Sequence, residues 1–114
     1  LLVDGQVHGG IAQGVGQALW EEVAYDPTTG QLLTGSFMDS VMPRADQFPS
    51  FAVGHNEVPT PTNLMGAKGG GEGGTTPAPA AGVNAIVDAL SDYDVTHLQM
   101  PVTPEKIWRA IHRA

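Results

Sequence analysis

Apolar residues recur at helical spacing in three parts of the chain. Within residues 7–24 they fall on one face and predict a first helix; they are Ile11, Val15, Ala18 and Leu19. A second helix is predicted from Thr76-Pro77 to about Ser91, because threonine caps a helix and proline suits its first turn. Its apolar face is Val83, Ile86, Val87 and Leu90. Thr103-Pro104 repeats this start signal and predicts a short third helix.

Between the first two helices the pattern changes to alternation, which favours β-strands. Asp26-Pro27-Thr28-Thr29-Gly30 has the residue types of a tight turn and should lead into a strand at about 31–38. A second strand is predicted at about 51–58 and a short third one at Val95–Leu98. These elements predict an α+β fold, a two-layer α/β sandwich with helices packed on a small mixed or antiparallel sheet.

Composition narrows the possible functions. The net charge is −7 and no basic stripe is present, so the chain is not expected to bind nucleic acid. No apolar run approaches the roughly 20 residues of a transmembrane helix. The absence of cysteine excludes disulfides, iron–sulfur ligation and cysteine nucleophiles within this chain. We expect a cytoplasmic protein, and a start at Leu1-Leu2-Val3 suggests part of a longer chain.

The glycine loop, residues 66–74, is the most unusual stretch. It surrounds one carboxylate, Glu72, with glycines, which contribute no side chain to a core and cost conformational entropy on folding. Gly69, Gly71 and Gly74 formally fit a dinucleotide fingerprint, but the residues before them are a poor strand, and no Gly-Lys-Ser/Thr of a Walker loop occurs. Two interpretations remain: a surface loop, or a catalytic base beside a bound cofactor.

The first predicted helix also contains an unusual number of glycines. Gly10, Gly14 and Gly16 would allow close packing against another element. Alternatively, a helix start at residues 6–10 would present backbone N–H groups to an anion such as a phosphate.

Two glycine-containing motifs occur one after the other along the chain. The first is Gln6-Val7-His8-Gly9-Gly10-Ile11-Ala12-Gln13-Gly14, and the second is Gly66-Ala67-Lys68-Gly69-Gly70-Gly71-Glu72. Together they resemble the molybdenum-binding large subunit of the xanthine oxidase family. Phe37-Met38-Asp39 and His97-Leu98-Gln99-Met100-Pro101 look most like the carbon monoxide dehydrogenase branch. We expect residues 1–114 to be the carboxy-terminal part of the molybdopterin-binding domain of a larger subunit.

The resemblance implies a molybdenum hydroxylase that oxidises carbon monoxide, an aldehyde or an N-heterocycle, with water as the oxygen source. Glu72 matches the glutamate beside molybdenum that acts as general base. Gln6 matches a glutamine that hydrogen-bonds the pterin, and Gly69, Gly70 and Gly71 would let the cofactor approach the backbone. The implied cofactor is molybdenum-molybdopterin, commonly in its cytosine dinucleotide form, and no residue here is expected to ligate the metal.

The implied partners are the upstream remainder of the subunit and iron–sulfur and flavin subunits, which would carry 2Fe-2S clusters and FAD. The isolated chain is then expected to be inactive. The alternative from another class is a non-catalytic packing or assembly domain whose glycine loop has no chemical role. His8, His97 and Lys68 are interpreted as structural or solvated residues, and Trp20 and Trp108 as packing anchors.

Overall fold

Three α-helices organise the part of the chain that the structure, a computed structural model, describes, residues 1–112. They are α1 (Leu2–Leu19), α2 (Ala78–Ala89) and α3 (Pro104–His112), with single 3₁₀ turns at Ala45–Gln47 and Ser91–Tyr93. The remaining described residues form turns and extended segments. All three predicted helices are therefore present.

The predicted sheet is absent from residues 1–112. A single antiparallel bridge joins Tyr25 to Leu32, and the segments 31–38, 51–58 and 95–98 form no strand ladder with any described residue. The prediction of an α+β two-layer sandwich is therefore wrong for this chain. Alternating polarity indicates which face of a segment is buried. A strand also needs a hydrogen-bonded neighbouring strand, and the alternation does not indicate whether one is present.

Part of the alternation nevertheless describes real burial. Phe51 and Val53 are half-buried, whereas Ala52 between them is exposed. The Phe51 ring packs on His8 of α1 with 5.4 Å between ring centroids, and also on Phe48 at 5.8 Å. The segment thus lies along α1 with one face inward, without a sheet.

The bounds of α1 differ from the prediction at both ends. It begins at Leu2 rather than residue 7 and ends at Leu19 rather than 24, where the N–H groups of Trp20 and Glu21 both donate to the Gly16 carbonyl. Residues 6–10 consequently lie inside the helix, and their N–H groups are used in helical hydrogen bonds. The alternative of an anion site at a helix start there is wrong.

Gly10 and Gly14 of α1 allow close packing against α2 and the turn before it, and Gly16 allows close packing against Pro43. A Cβ added at Gly10 would lie 2.9 Å from the Thr75 nitrogen, and one at Gly14 would lie 2.7 Å from the Ala78 Cβ. Carbon atoms normally approach only to about 3.5–4.0 Å. The close-packing interpretation of these glycines is confirmed.

The other helix starts follow the predicted signals closely. α3 begins at Pro104, and the Thr103 hydroxyl accepts a hydrogen bond from the Lys106 N–H at 3.3 Å, as an N-cap does. α2 begins at Ala78, one residue later than expected, and Thr76 and Pro77 form the turn that precedes it.

The turn at residues 26–30 also forms as predicted. Gly30 has a φ of 72°, a conformation that favours glycine. One Asp26 carboxylate oxygen accepts hydrogen bonds from the N–H groups of Thr29 and Thr28 at 2.7 and 2.8 Å. These bonds hold the pKa of Asp26 below its ordinary value.

The buried core of the described chain is small. Its apolar members are Ala18, Ala78, Leu90 and Val102. The radius of gyration is 17.8 Å, whereas a compact domain of this length has about 13 Å. Phe37, Met38 and Met65 are 81%, 93% and 89% exposed. Much apolar side-chain surface is therefore left uncovered by the described chain. Among residues 1–112, no helix is long and apolar enough to cross a membrane.

Candidate active site

The glycine loop starts from a turn built around Asn63. The Asn63 side-chain oxygen accepts hydrogen bonds from the N–H groups of Met65 and Ala67 at 3.1 and 3.0 Å. Gly66 has a φ of 64°, and a Cβ there would lie 2.6 Å from Pro59. Gly66 is thus required by the chain's own geometry.

The middle of the loop is open on the described chain. A Cβ added at Gly69, Gly70, Gly71 or Gly73 would meet no described atom within 4 Å. The N–H groups of Gly69, Gly70 and Gly71 donate to no residue within 1–112. Contacts inside the chain therefore do not explain why these positions are glycine, and the loop offers free backbone donors to an outside group.

Glu72 lies exposed in this open part of the loop. Its backbone carbonyl accepts a hydrogen bond from the Thr76 N–H at 3.0 Å. Its carboxylate makes neither a hydrogen bond nor an ion pair with residues 1–112, and Lys68 is not paired with it. Both carboxylate oxygens remain available as proton acceptors.

Gln6 brings the two sequence motifs into direct contact. Its Nε2 donates to the Gly71 carbonyl at 2.8 Å, between residues 65 positions apart. The sequence predicted both residues as site members but not this hydrogen bond. A signal for it exists, because Gln6, Gly10 and Gly14 are spaced four apart and share the face of α1 that packs on the loop and α2.

The end of the glycine loop is packed tightly, unlike its middle. Gly74 is buried against α1, where an added Cβ would overlap the Val7 carbonyl and lie 3.0 Å from the Ile11 nitrogen. An apolar groove of about 310 Å³ continues from Gly73 and Gly74 between α1 and α2. The candidate site therefore lies at one end of the α1–α2 contact.

The histidines lie outside this site. His8 packs on Phe51, and His97 is exposed. His55 contacts a carboxylate oxygen of Asp4 at 2.8 Å, which holds the pKa of Asp4 below its ordinary value. Within residues 1–112, no group of three or more potential ligand side chains is arranged to hold a metal ion.

These residues fit a bound pterin cofactor by their chemistry. The free N–H groups at Gly69–Gly71 can donate to oxygen or ring nitrogen atoms, and Gln6 keeps its side-chain oxygen and one N–H unused within the described chain. The glycine backbone presents no side chain that would block a close approach. The carboxylate of Glu72 lies next to these donors in sequence.

Comparison with known proteins identifies the family of the chain. Residues 1–49 match the molybdopterin cofactor-binding domain family. The chain is 45% identical over 109 residues to the nicotine 6-hydroxylase large subunit of Paenarthrobacter nicotinovorans, covering 96% of this chain. It is 34% identical over 114 residues to the carbon monoxide dehydrogenase large chain of Hydrogenophaga pseudoflava, covering 97% of this chain. The chain belongs to the xanthine oxidase family of molybdenum-binding large subunits.

The fold is shared with a solved crystal structure. Quinoline 2-oxidoreductase from Pseudomonas putida 86 matches with a TM-score of 0.91 and 45% identity over 97% of this chain. The family predicted from the two motifs is confirmed, including the likeness to carbon monoxide dehydrogenase large chains, although the identity to the nicotine hydroxylase subunit is higher. The chain spans only 13% and 14% of the two subunits' lengths and 14% of the crystallised chain.

Proposed function

We propose that this chain supplies the catalytic general base, Glu72, and part of the molybdopterin pocket of a molybdenum hydroxylase. The observation that carries the proposal is an unpaired, exposed carboxylate in the middle of a loop where an added Cβ at Gly69, Gly70, Gly71 or Gly73 would meet no described atom within 4 Å. Family membership supports the cofactor, since relatives include molybdenum-dependent oxidoreductases. We propose the cytosine dinucleotide form of molybdopterin.

Some of these residues would bind the cofactor, and one of them would accept a proton. When bound, the cofactor supplies a molybdenum centre that accepts the electrons of the substrate. A carboxylate oxygen of Glu72 accepts the proton that water must lose to become a nucleophile. The N–H groups of Gly69, Gly70 and Gly71, with the unused amide atoms of Gln6, bind and orient the pterin.

For the substrate we propose an N-heterocycle. Relatives named for nicotine and quinoline oxidation are both 45% identical to this chain, whereas the carbon monoxide dehydrogenase large chain is 34% identical. Carbon monoxide and aldehydes are the two other substrate classes. Comparing turnover of quinoline, carbon monoxide and an aldehyde by the purified complex tests this choice, and a preference for either of the latter two contradicts it.

The exposed apolar surface supports the proposed partners. Side chains such as Phe37 and Met65 are largely exposed here, and burying each would contribute about 1.5–3 kcal/mol. We propose that the upstream part of the subunit covers this surface, and that iron–sulfur and flavin subunits carry the electrons away. The isolated chain would be inactive, because it has one wall of the pocket and no electron path. Its cytoplasmic location stays a prediction.

Glu72→Gln in the assembled enzyme tests the role of the base. Glutamine keeps the size and polarity of the side chain but cannot accept the proton, so turnover should fall by roughly 10²- to 10⁴-fold with molybdenum content unchanged. Glu57→Gln is the matched control, an exposed glutamate outside the glycine loop, and it should retain turnover. Near-normal turnover of Glu72→Gln with molybdenum bound refutes the proposal.

The packing or assembly alternative accounts for a different set of glycines. It explains Gly10, Gly14 and Gly74, which contact other parts of the chain closely. It does not account for Gly69 and Gly70, where an added Cβ would meet no described atom within 4 Å, or for the Glu72 carboxylate, which has no hydrogen bond or ion pair within residues 1–112. Retained activity in Glu72→Gln would favour this alternative.

A further inference from the structure

Helix α1 holds the glycine loop at one point on each side of Glu72. On the amino-terminal side, Nε2 of Gln6 donates to the carbonyl of Gly71, the residue immediately before Glu72. On the carboxy-terminal side, Gly74 is buried against the backbone of α1 at Val7 and Ile11. Only Glu72 and Gly73 lie between these two attachments.

The orientation of the Gln6 amide follows from its partner. A backbone carbonyl can only accept a hydrogen bond, so the side-chain nitrogen, and not the oxygen, must face Gly71. The role of Gln6 toward Gly71 is therefore that of a donor. A side chain without a donor at this position loses the contact even if it has the same shape.

The loop needs such attachments because its backbone has little intrinsic preference. Glycine populates positive and negative φ with similar ease, and a run of glycines fixes no direction for the residue it carries. Gly69, Gly70 and Gly73 have no described atom near the position of a Cβ. Packing against residues 1–112 therefore does not fix these three glycines.

We propose that Gln6 is a positioning residue that aligns Glu72 by holding the Gly71 carbonyl, with α1 as the rigid support. This inference rests on the proposed role of Glu72 as the base. It assigns to Gln6 a function separate from any contact with the pterin, because the hydrogen bond to Gly71 uses one N–H and leaves the other N–H and the oxygen unused.

The test uses the assembled holoenzyme with Gln6→Leu and Gln6→Glu, neither of which can donate to Gly71. Gln13→Leu is the matched control, since Gln13 is an exposed glutamine of the same helix with no hydrogen bond from its side chain to residues 1–112. Gln6→Lys is the rescue variant, because its ammonium group can donate to the carbonyl. Hydrogen exchange is followed at the Thr76 N–H, which bonds to the Glu72 carbonyl.

In Gln6→Leu and Gln6→Glu, exchange at Thr76 should accelerate by roughly 2- to 13-fold, the factor that corresponds to one hydrogen bond. kcat should fall by about 10- to 100-fold with KM changed much less, because a misplaced base affects the reaction more than binding. Gln13→Leu should match the wild type, and Gln6→Lys should restore slow exchange. Turnover is expressed per bound molybdenum, because the other amide atoms of Gln6 are also proposed to bind the pterin.

Three outcomes overturn the proposal. They are unchanged Thr76 exchange in Gln6→Leu and Gln6→Glu, faster exchange with unchanged kcat, and faster exchange that merely equals that of the molybdenum-free wild type. In the last case Gln6 acts only as a cofactor ligand. Failure of the proposed function is recognised separately, by near-normal turnover in Glu72→Gln, whereas exchange at Thr76 reports the Gln6 contact whether or not Glu72 is the base.

Discussion

Gly14 is the position at which the contact between α1 and α2 can be tested most directly. Its missing side chain lets Ala78, the first residue of α2, approach so closely that an added Cβ would lie 2.7 Å from the Ala78 Cβ. Gly14→Ala must therefore separate the two helices by roughly 1 Å to restore an ordinary carbon–carbon distance. Because the glycine loop joins α2 just there, the loop should move as well.

The cost of overpacking at Gly14 can be separated from the effect of helix propensity by substituting a second glycine of α1, Gly5. Overpacking costs about 1–3 kcal/mol, while replacing glycine by alanine inside a helix contributes about 1 kcal/mol of stability. Gly5→Ala in the same helix should gain only the stabilisation from the higher helix propensity of alanine, because an added Cβ at Gly5 would meet no described atom within 4 Å. The two variants should therefore differ by about 1–3 kcal/mol in local stability.

Hydrogen exchange at the Ala81 N–H measures this difference, because that group donates to the Pro77 carbonyl in the first turn of α2. Gly14→Ala should exchange there roughly 5- to 140-fold faster than Gly5→Ala, as 1.4 kcal/mol corresponds to tenfold. Equal exchange rates in the two variants of the intact subunit would show that the helices do not pack through Gly14 and would refute the reasoning.

Two further predictions concern local structures. The N–H groups of Thr29 and Thr28 lower the pKa of the Asp26 carboxyl group. The stabilisation of the turn by Asp26 should therefore be complete above pH 3.8 and be lost as the pH falls through the lowered pKa. An NMR titration midpoint for Asp26 at or above 3.8 contradicts this. Thr103→Ala should destabilise the start of α3 by about 1 kcal/mol, seen as faster exchange of the Lys106 N–H, whereas Thr103→Ser should not; equal exchange in both variants argues against capping.

The helices could be predicted from the sequence because their signals are local. The apolar spacing of α2 and the cap at Thr103 act within a few residues, and both helices form. The absence of strands could not be predicted, because Phe51 and Val53 show only which face is inward and not that the described chain holds no partner strand beside them. The predicted bounds of α1 were also wrong, because the polar and glycine residues at its start give no apolar periodicity.

The candidate site shows the same division between local and distant information. Glu72 and Gln6 could be named from their motifs, because a motif is a short run of residue types. Their connection through the Gly71 carbonyl depends on how α1 packs on a loop far along the chain, and the spacing of Gln6, Gly10 and Gly14 indicates only the face involved. The roles of these residues toward a cofactor stay predictions.

The hydrogen bond between Gln6 and Gly71 also has a consequence for the order of folding. Closing a loop between residues 65 apart costs about 3.7 kcal/mol in chain entropy from the length-dependent part alone. One hydrogen bond contributes about 0.5–1.5 kcal/mol and cannot close that loop. The α1–α2 contact must therefore form first, so a nascent or partly unfolded subunit would carry Glu72 without its alignment, and the catalytic geometry would be among the last features to form.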